Sequence, residues 1–349
     1  MKYSIFIIPF FLVGFCLHAQ HDRVLFIGNS YTSVNNLPGI IESIFQSNGE
    51  DSGEIVVSAP GGYTFQQHCS YSIPYIQQGG FKYVVLQEQS QLPSFPEAQF
   101  FEVSYPYAHQ LCELIRLYNP DAKIFFYMTW GRRDGDSINC QHYPPLCTYD
   151  GMDSLLYARY MQMACDNQVS ISPVGAVWHY IRDLHPDLEL YQTDGSHPTY
   201  LGSYIAACCF YTLFTGHNPI EINWNGNLAQ IVANKVKIAV KTVVYDSLTK
   251  WISPVCFESD SSTSSTCSPT SVSSFRLYPN PAGNHVNFDL PFAGSQYELS
   301  VMNVSGKVLY SSVNCESTGM DISFLPKGTY FVHIRQNNRL YISKLEIVH

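Results

Sequence analysis

Charge is scarce in this chain, and positive charge is scarcest. Lys and Arg number 19 against 28 Asp and Glu, and the four types together make up 13% of 349 residues. A net charge of −9 leaves no basic face to neutralise phosphates, which argues against a nucleic-acid partner. No apolar run reaches the about 20 residues that a bilayer-spanning helix needs, so no transmembrane segment is expected. Cys-x-x-Cys is absent, which removes support for a zinc knuckle or a thioredoxin-type site. Gly-x-Ser-x-Gly is absent too, because Thr32 stands where an α/β-hydrolase elbow needs its last glycine. There is no EF-hand spacing and no internal repeat.

What is present begins with a leader-like segment. Lys2 gives a short positive start, an apolar stretch runs from Ile5 to Phe15, and Leu17-His18-Ala19 offers a small residue at a cut. Residues 1–19 read as a signal peptide. Cys16 raises a lipoprotein alternative, but Phe15 is a poor neighbour for a lipidated cysteine. Removing Lys2 takes the net charge to −10. Ten cysteines remain, and export favours pairing among them. Cys140–Cys147, within one Pro-rich loop, is the first candidate, with Cys69–Cys112 and Cys256–Cys267 as weaker ones. Cys208 and Cys209 lie in an apolar helix and read as buried free thiols.

From Arg23 to about Val255, short apolar strand runs alternate with helical stretches. The strands are Val24–Ile27, Glu54–Ser58, Tyr83–Leu86, Lys123–Thr129 and Val169–Ile171. The helices are Leu37–Gln46, Glu97–Leu117, Met152–Asp166, Tyr200–Phe214 and Leu228–Thr249. Nearly continuous apolar strands suit a parallel sheet covered on both faces, hence a three-layer α/β domain at 20–257. Residues 258–274, ESDSSTSSTCSPTSVSS, form a polar linker with little to bury. Beyond it, 275–349 switches to short β segments between turns, the pattern of a small all-β sandwich.

Two segments carry the chemistry. Gly28-Asn29-Ser30-Tyr31-Thr32 ends the first strand, on the edge where open α/β sheets bind ligands. Asp194-Gly195-Ser196-His197-Pro198 precedes the helix from Tyr200. A serine, a histidine and a carboxylate are the parts of a nucleophilic hydrolase. An Asp three residues before a His can accept its Nδ1–H and turn Nε2 toward a nucleophile. A strand-end serine is also an ordinary cap residue, and a loop histidine is often only solvated. In the loop 130–149, Asp134, Asp136 and Asn139 lack calcium spacing and read as a solvated loop. His68, His109, His142, His179 and His185 show no metal-ligand spacing.

Gly28-Asn29-Ser30, Gly62-Tyr63-Thr64, the Gln87–Gln89 segment and Asp194–His197 together resemble the four blocks of the SGNH (GDSL-type) hydrolases, in the same order, over roughly residues 23–215. The resemblance implies a flavodoxin-like sheet and cofactor-free, metal-free ester hydrolysis. Ser30 matches the nucleophile, His197 the general base and Asp194 its orienter. The N–H groups of Ser30 and Gly62 match two oxyanion donors. The chain departs from the family twice. Asn29 replaces the usual Asp, and Gln89 stands where the third block brings an asparagine amide. Gln87 and Gln91 are alternatives for that donor, and Glu88 reads as structural.

Phe275-Arg276-Leu277-Tyr278-Pro279-Asn280-Pro281 and Leu325-Pro326-Lys327-Gly328-Thr329-Tyr330 resemble the C-terminal sorting domain of type IX secretion substrates. This implies outer-membrane export by that machinery, with surface attachment or tail removal. A carbohydrate-binding β-sandwich is the plainer alternative. The expectation is a secreted or surface serine esterase acting on carboxylic esters, O-acetyl groups on a carbohydrate first among them. The competing readings are a catalytically weak glycan-binding protein on the same fold, and an esterase for lipid or aryl esters.

Overall fold

In the computed structural model, residues 22–252, 275–290, 296–303, 308–315, 317–336 and 339–348 are described. The expected leader (1–19), the linker (258–274) and the Cys256–Cys267 pair fall outside them.

Five runs rich in Val, Ile and Phe form one parallel sheet: β1 Arg23–Ile27, β2 Glu54–Ser58, β3 Tyr83–Leu86, β4 Lys123–Tyr127 and β5 Ser170–Ser172. Their order is β2-β1-β3-β4-β5, the flavodoxin-like arrangement. Val24, Leu25, Phe26 and Ile27 of β1 and Val84, Val85 and Leu86 of β3 are all buried, as strands with helices on both faces require. In register, Ile27 pairs with Leu86 and with Ser58, so the three chains leave the sheet side by side. The order of strands reverses here: the chain steps from β1 outward to β2, then back past β1 to β3, β4 and β5, and the switch point between β1 and β3 opens the crevice where such sheets bind ligands.

Helices α1 Ser30–Ser33, α2 Leu37–Ser47, α3 Phe65–Tyr71, α4 Ile73–Ile76, α5 Glu97–Val103, α6 Tyr105–Tyr118, α7 Tyr149–Asn167, α8 Val174–Leu184, α9 Tyr200–Thr215, α10 Gln230–Val243 and α11 Leu248–Ile252 accompany the sheet. Helix α9 is buried from Leu201 to Leu213 and packs on α2. The expected single helix Glu97–Leu117 is two helices. Pro106 in the first turn of α6 has no N–H and its ring crowds the carbonyl four residues back, which breaks the run at Ser104. The expected helix Leu228–Thr249 is interrupted as well, at Val244, where a short 3-10 turn (Tyr245–Ser247) precedes α11.

The C-terminal strands are β6 Arg276–Tyr278, β7 His285–Asp289, β8 Tyr297–Asn303, β9 Val308–Cys315, β10 Gly319–Asp321, β11 Gly328–Gln336 and β12 Arg339–Ile347. They form two antiparallel sheets, β10-β7-β6 and β12-β11-β8-β9. Alternate residues such as Val286, Phe288, Leu299, Val301, Val332, Ile334 and Leu345 fill one core between them, separate from the core of the α/β body.

Cys140 and Cys147 form a disulfide, and Cys165 is disulfide-bonded too. The pair Cys69–Cys112 does not form. Both are buried free thiols, with the Cys69 sulfur directed at the Tyr107 carbonyl, and burial pushes the Cys112 thiol up to about 12. Cys208 and Cys209 are buried and free. No helix among the described residues is long and apolar enough to cross a membrane.

Candidate active site

The carboxyl ends of β1, β2 and β3 deliver three loops to the switch point. After β1, Gly28 has no room for a side chain: a Cβ there would lie 2.6 Å from Thr32 Oγ1 and 2.7 Å from Gln87 Oε1. Asn29 then caps α1, its Oδ1 accepting the Tyr31 N–H at 3.2 Å. Its Nδ2 donates to the Tyr63 carbonyl at 2.9 Å. An aspartate could not make that second bond, which accounts for asparagine at this position. It ties the serine loop to the loop after β2, where Gly62 has φ +73°, the left-handed region that favours glycine.

Ser30 is the first residue of α1 and is half-buried. Its Oγ lies 2.8 Å from His197 Nε2. On the far side of the ring, Nδ1 meets Asp194 Oδ2 at 2.5 Å. Asp194 Oδ1 also accepts the Ser196 N–H at 2.9 Å and the His197 N–H at 3.0 Å. Partial burial pushes the Asp194 carboxyl up, but these hydrogen bonds outweigh it and hold the group below the usual carboxylate range. The three side chains therefore form one continuous hydrogen-bonded line, with Nε2 turned toward the serine.

Two buried residues support the line from behind. His68 spans Gly28 O (2.8 Å, from Nε2) and Ser72 Oγ (2.7 Å, to Nδ1), and Ser72 Oγ meets Ser58 Oγ at 2.8 Å. Burial lowers His68 to about 4 despite its bond to Gly28. It is therefore neutral near pH 7, with Nε2–H donating to the Gly28 carbonyl. Glu88 accepts the Phe65 N–H at 2.8 Å, the Gln89 N–H at 2.7 Å and the Ser104 hydroxyl at 2.8 Å. Desolvation raises it to about 7, although all three donors favour the carboxylate.

Gln87 is fully buried and its amide is fully used. Oε1 accepts from Asn29 N and Thr32 Oγ1, each at 3.0 Å, and Nε2 donates to Asn29 Oδ1 at 2.9 Å and to the Glu88 carbonyl at 2.5 Å. Gln89 is half-buried, with Oε1 accepting the Gln91 N–H at 2.8 Å and Nε2 donating to Gln91 Oε1 at 3.1 Å.

Several neighbours of the site escape a reading based on motifs. Tyr31 is buried; its ring stacks on Trp130 (4.7 Å, 5°) and stands edge-on to His197 at 5.5 Å. Trp130 stacks on Trp178 at 3.8 Å and donates Nε1–H to the Ser196 carbonyl at 3.1 Å. Arg133 N–H bonds the Gly195 carbonyl at 2.8 Å, so the loop after β4 touches the Asp194–His197 turn. That loop is not simply solvated. Asp136 is fully buried and accepts from Gln91 Nε2 and Asn139 Nδ2, each at 2.6 Å, with Arg132 at 3.5 Å. One missed element had a local signal. Thr64 and Gln67 form a reciprocal capping box at the start of α3, and Thr-x-x-Gln before an apolar residue announces such a box. Among the described residues, no group of three or more His, Cys, Asp or Glu side chains is arranged to hold a metal ion.

Comparison with known proteins bears on both halves of the chain. A DUF4886 family protein from Bacteroides uniformis superposes with a TM-score of 0.53 at 16% identity, over 65% of this chain and 94% of that one. A protein from Slackia heliotrinireducens carrying the SGNH hydrolase designation gives 0.45 at 24% identity, over 55% and 97%. An acetyl xylan esterase from Geobacillus stearothermophilus gives 0.38 at 16% identity, over 54% and 92%. No curated protein matches the chain in sequence. Residues 276–348 match the secretion system C-terminal sorting domain, which marks the protein as secreted or exposed at the cell surface. The chain thus carries a secretion system C-terminal sorting domain behind an α/β body whose structural neighbours are SGNH/GDSL hydrolases and a DUF4886 family protein.

Proposed function

We propose that the protein is a secreted or surface serine esterase that hydrolyses carboxylic esters, with O-acetyl groups on a carbohydrate as its substrates. The observation that carries this reading is the unbroken line from Asp194 through His197 to Ser30, with links of 2.5 and 2.8 Å, at the switch point of the sheet.

Ser30 Oγ attacks the ester carbonyl carbon while its proton passes to His197 Nε2, and Asp194 steadies the imidazolium through Nδ1–H. The carbonyl oxygen takes up the negative charge and receives the N–H groups of Ser30 and Gly62. Collapse breaks the bond to the alcohol oxygen, which leaves with the proton held on His197. Water then repeats the sequence on the acyl-serine and releases the acid. Export favours an extracellular polymer as substrate. The Arg133 side chain, which lies against Gly195 of the Asp194–His197 turn, suits a hydroxylated partner better than an acyl chain.

The test is hydrolysis of p-nitrophenyl acetate by the purified protein beside Ser30→Ala and His197→Ala. Each variant is expected to lose activity by about 1,000-fold or more. Equal rates for all three proteins would remove the enzyme reading in favour of a glycan-binding role. Acetate release from acetylated xylan, set against fatty-acid release from triglyceride, decides the substrate class. Fatty-acid release alone would overturn the carbohydrate assignment.

A further inference from the structure

The loop after β2 and the two short helices behind it carry a row of tyrosines that begins beside Ser30. The Tyr63 carbonyl accepts the side-chain N–H of Asn29, the residue before Ser30, at 2.9 Å. His68 of α3 holds the same serine loop, with Nε2 on the Gly28 carbonyl at 2.8 Å. Its ring lies 5.5 Å from the Tyr63 ring and 6.4 Å from that of Tyr71. Tyr63 stands edge-on to Tyr71 at 5.0 Å, and Tyr71 is inclined 29° to Tyr75 of α4 at 6.4 Å. At that spacing neither ring covers the face of the other, unlike the 3.8 Å stack of Trp130 on Trp178. Tyr71 is 44% exposed, and Tyr63 and Tyr75 are half-buried. None of the three hydroxyls has a hydrogen-bond partner among the described residues.

The same stretch is free of charge. No Lys, Arg, Asp or Glu occurs between Glu54 and Lys82. Its exposed polar side chains, apart from Tyr71, are Gln66, Gln67, Ser70, Gln77 and Gln78. Gln66 and Gln77 donate from Nε2 to the Tyr107 and Tyr118 hydroxyls, at 2.8 and 3.0 Å. Each of those two amide oxygens is left as an unused acceptor among the described residues. Arg23 reaches this face only at its far end, through Gln78 at 3.0 Å. An ionic partner finds no counter-charge here, and an acyl chain would desolvate phenols and amides without pairing them. A pyranose satisfies both kinds of group. Its C–H face stacks on a tyrosine ring while its hydroxyls exchange hydrogen bonds with phenols and amides.

We propose that Tyr71 and Tyr75, with Tyr63 lying between them and Ser30, form a stacking platform for a neutral glycan chain. It holds sugar units beyond the one whose ester meets Ser30. The proposal rests on the esterase reading above and assigns the surface that receives the polymer. Contacts remote from the reacting bond stabilise substrate and transition state alike, so their loss raises KM and leaves kcat unchanged.

The experiment uses the full chain with Tyr71→Ala, Tyr75→Ala, the double variant and Tyr71→Phe. On acetylated xylan each alanine variant should raise KM about 5-fold and the double variant about 20-fold, with kcat within about 2-fold of wild type. Tyr71→Phe keeps the ring and should stay within about 2-fold of wild type in KM. All four should match wild type on p-nitrophenyl acetate, which has no sugar units to stack. Binding is read separately by calorimetric titration of Ser30→Ala with acetylated xylan. Adding Tyr71→Ala to Ser30→Ala should weaken binding about 5-fold, and the affinity should not change with salt, since no ion pair is involved. Equal losses on both esters, unaltered KM and affinity in the alanine variants, or binding that weakens steeply with salt would overturn the platform and leave the esterase reading intact. Fatty-acid release from triglyceride that falls in Tyr71→Ala while xylan binding holds would also overturn it, in favour of an acyl chain. A wild-type rate on p-nitrophenyl acetate equal to that of Ser30→Ala would remove the esterase reading, and the titrations would still decide the platform. Thermal melting of each variant separates a lost ring from a lost fold.

Discussion

The Tyr31 hydroxyl lies 2.7 Å from the Ser196 hydroxyl, so the residue after Ser30 is bonded to the residue before His197 across 165 positions of sequence. The bond spans the same gap as the contact between Ser30 and His197. It is buried, and the Tyr31 ring is fixed by its stack on Trp130. Desolvation raises the Tyr31 hydroxyl above its ordinary range, so it remains protonated. The Ser30 loop and the Asp194–His197 turn are thereby held to one another independently of the Ser30–His197 contact.

Removal of that link is expected to slow the reaction without abolishing it. Tyr31→Phe keeps the ring and its stack but leaves Ser196 Oγ without its partner. A buried neutral hydrogen bond is worth about 1 kcal/mol net, with a further cost for the orphaned group. The expected result is a fall in kcat of about 5- to 30-fold together with a lower melting temperature. Ser196→Ala in the Tyr31→Phe background should add little, since both changes remove the same contact. Strict additivity of the two would show that the hydroxyl pair does not act as a unit.

Asp194 makes a sharper case, because its two oxygens have different duties. Oδ1 holds the turn through the Ser196 and His197 N–H groups, while Oδ2 alone meets the imidazole. In Asp194→Asn the amide oxygen can keep the turn, which leaves an N–H facing Nδ1. The ring must then carry its proton on Nε2, where it cannot accept one from Ser30. Activity on p-nitrophenyl acetate should fall about 10,000-fold while the melting temperature moves little. A loss below about 10-fold would mean that the carboxylate does not set the tautomer.

The difference between these residues explains what could be read from the sequence. Ser30, Asp194 and His197 are legible because the chemistry restricts the residue types and the spacing puts Asp and His on one turn. The order of strands and the site edge are legible for a similar reason, since each buried strand is a short apolar run. Tyr31, Ser196, Trp130 and Trp178 carry no such mark. An aromatic residue in a chain holding 25 Tyr and 21 Phe is unremarkable until folding stacks it on another. The burial of Asp136 is equally invisible, because its partner Gln91 is 45 residues away. The helix break at Ser104 was within reach, since Pro106 excludes a continuous run, and so was α3, through Thr64 and Gln67.

The pair behind the site, Glu88 and His68, predicts how stability depends on pH. Glu88 rises from an ordinary 4.5 to about 7 in the fold. Between those values the folded state holds a proton that the unfolded state has released. Its contribution is therefore most favourable below pH 4.5, declines as pH rises to 7 and is flat above. His68 falls from 6.5 to about 4. Between those values the unfolded state holds the extra proton, so stability is full above pH 6.5 and is lost as pH falls toward 4. Each shift corresponds to about 3 kcal/mol at full extent. Across pH 4.5 to 6.5 the two slopes oppose, and the buried His333, lowered to about 3, and His109, lowered too, add to the slope of His68, so each group is read as a difference from wild type. In urea unfolding, the pH slope of stability over that window should be more positive in Glu88→Gln than in wild type, and less positive in His68→Gln. The stability difference between Glu88→Gln and wild type should grow with pH from 4.5 to 7 and then stop growing. A difference that stays constant from pH 4 to 8 would mean that Glu88 is ionised throughout, and that its three donors outweigh the cost of its burial.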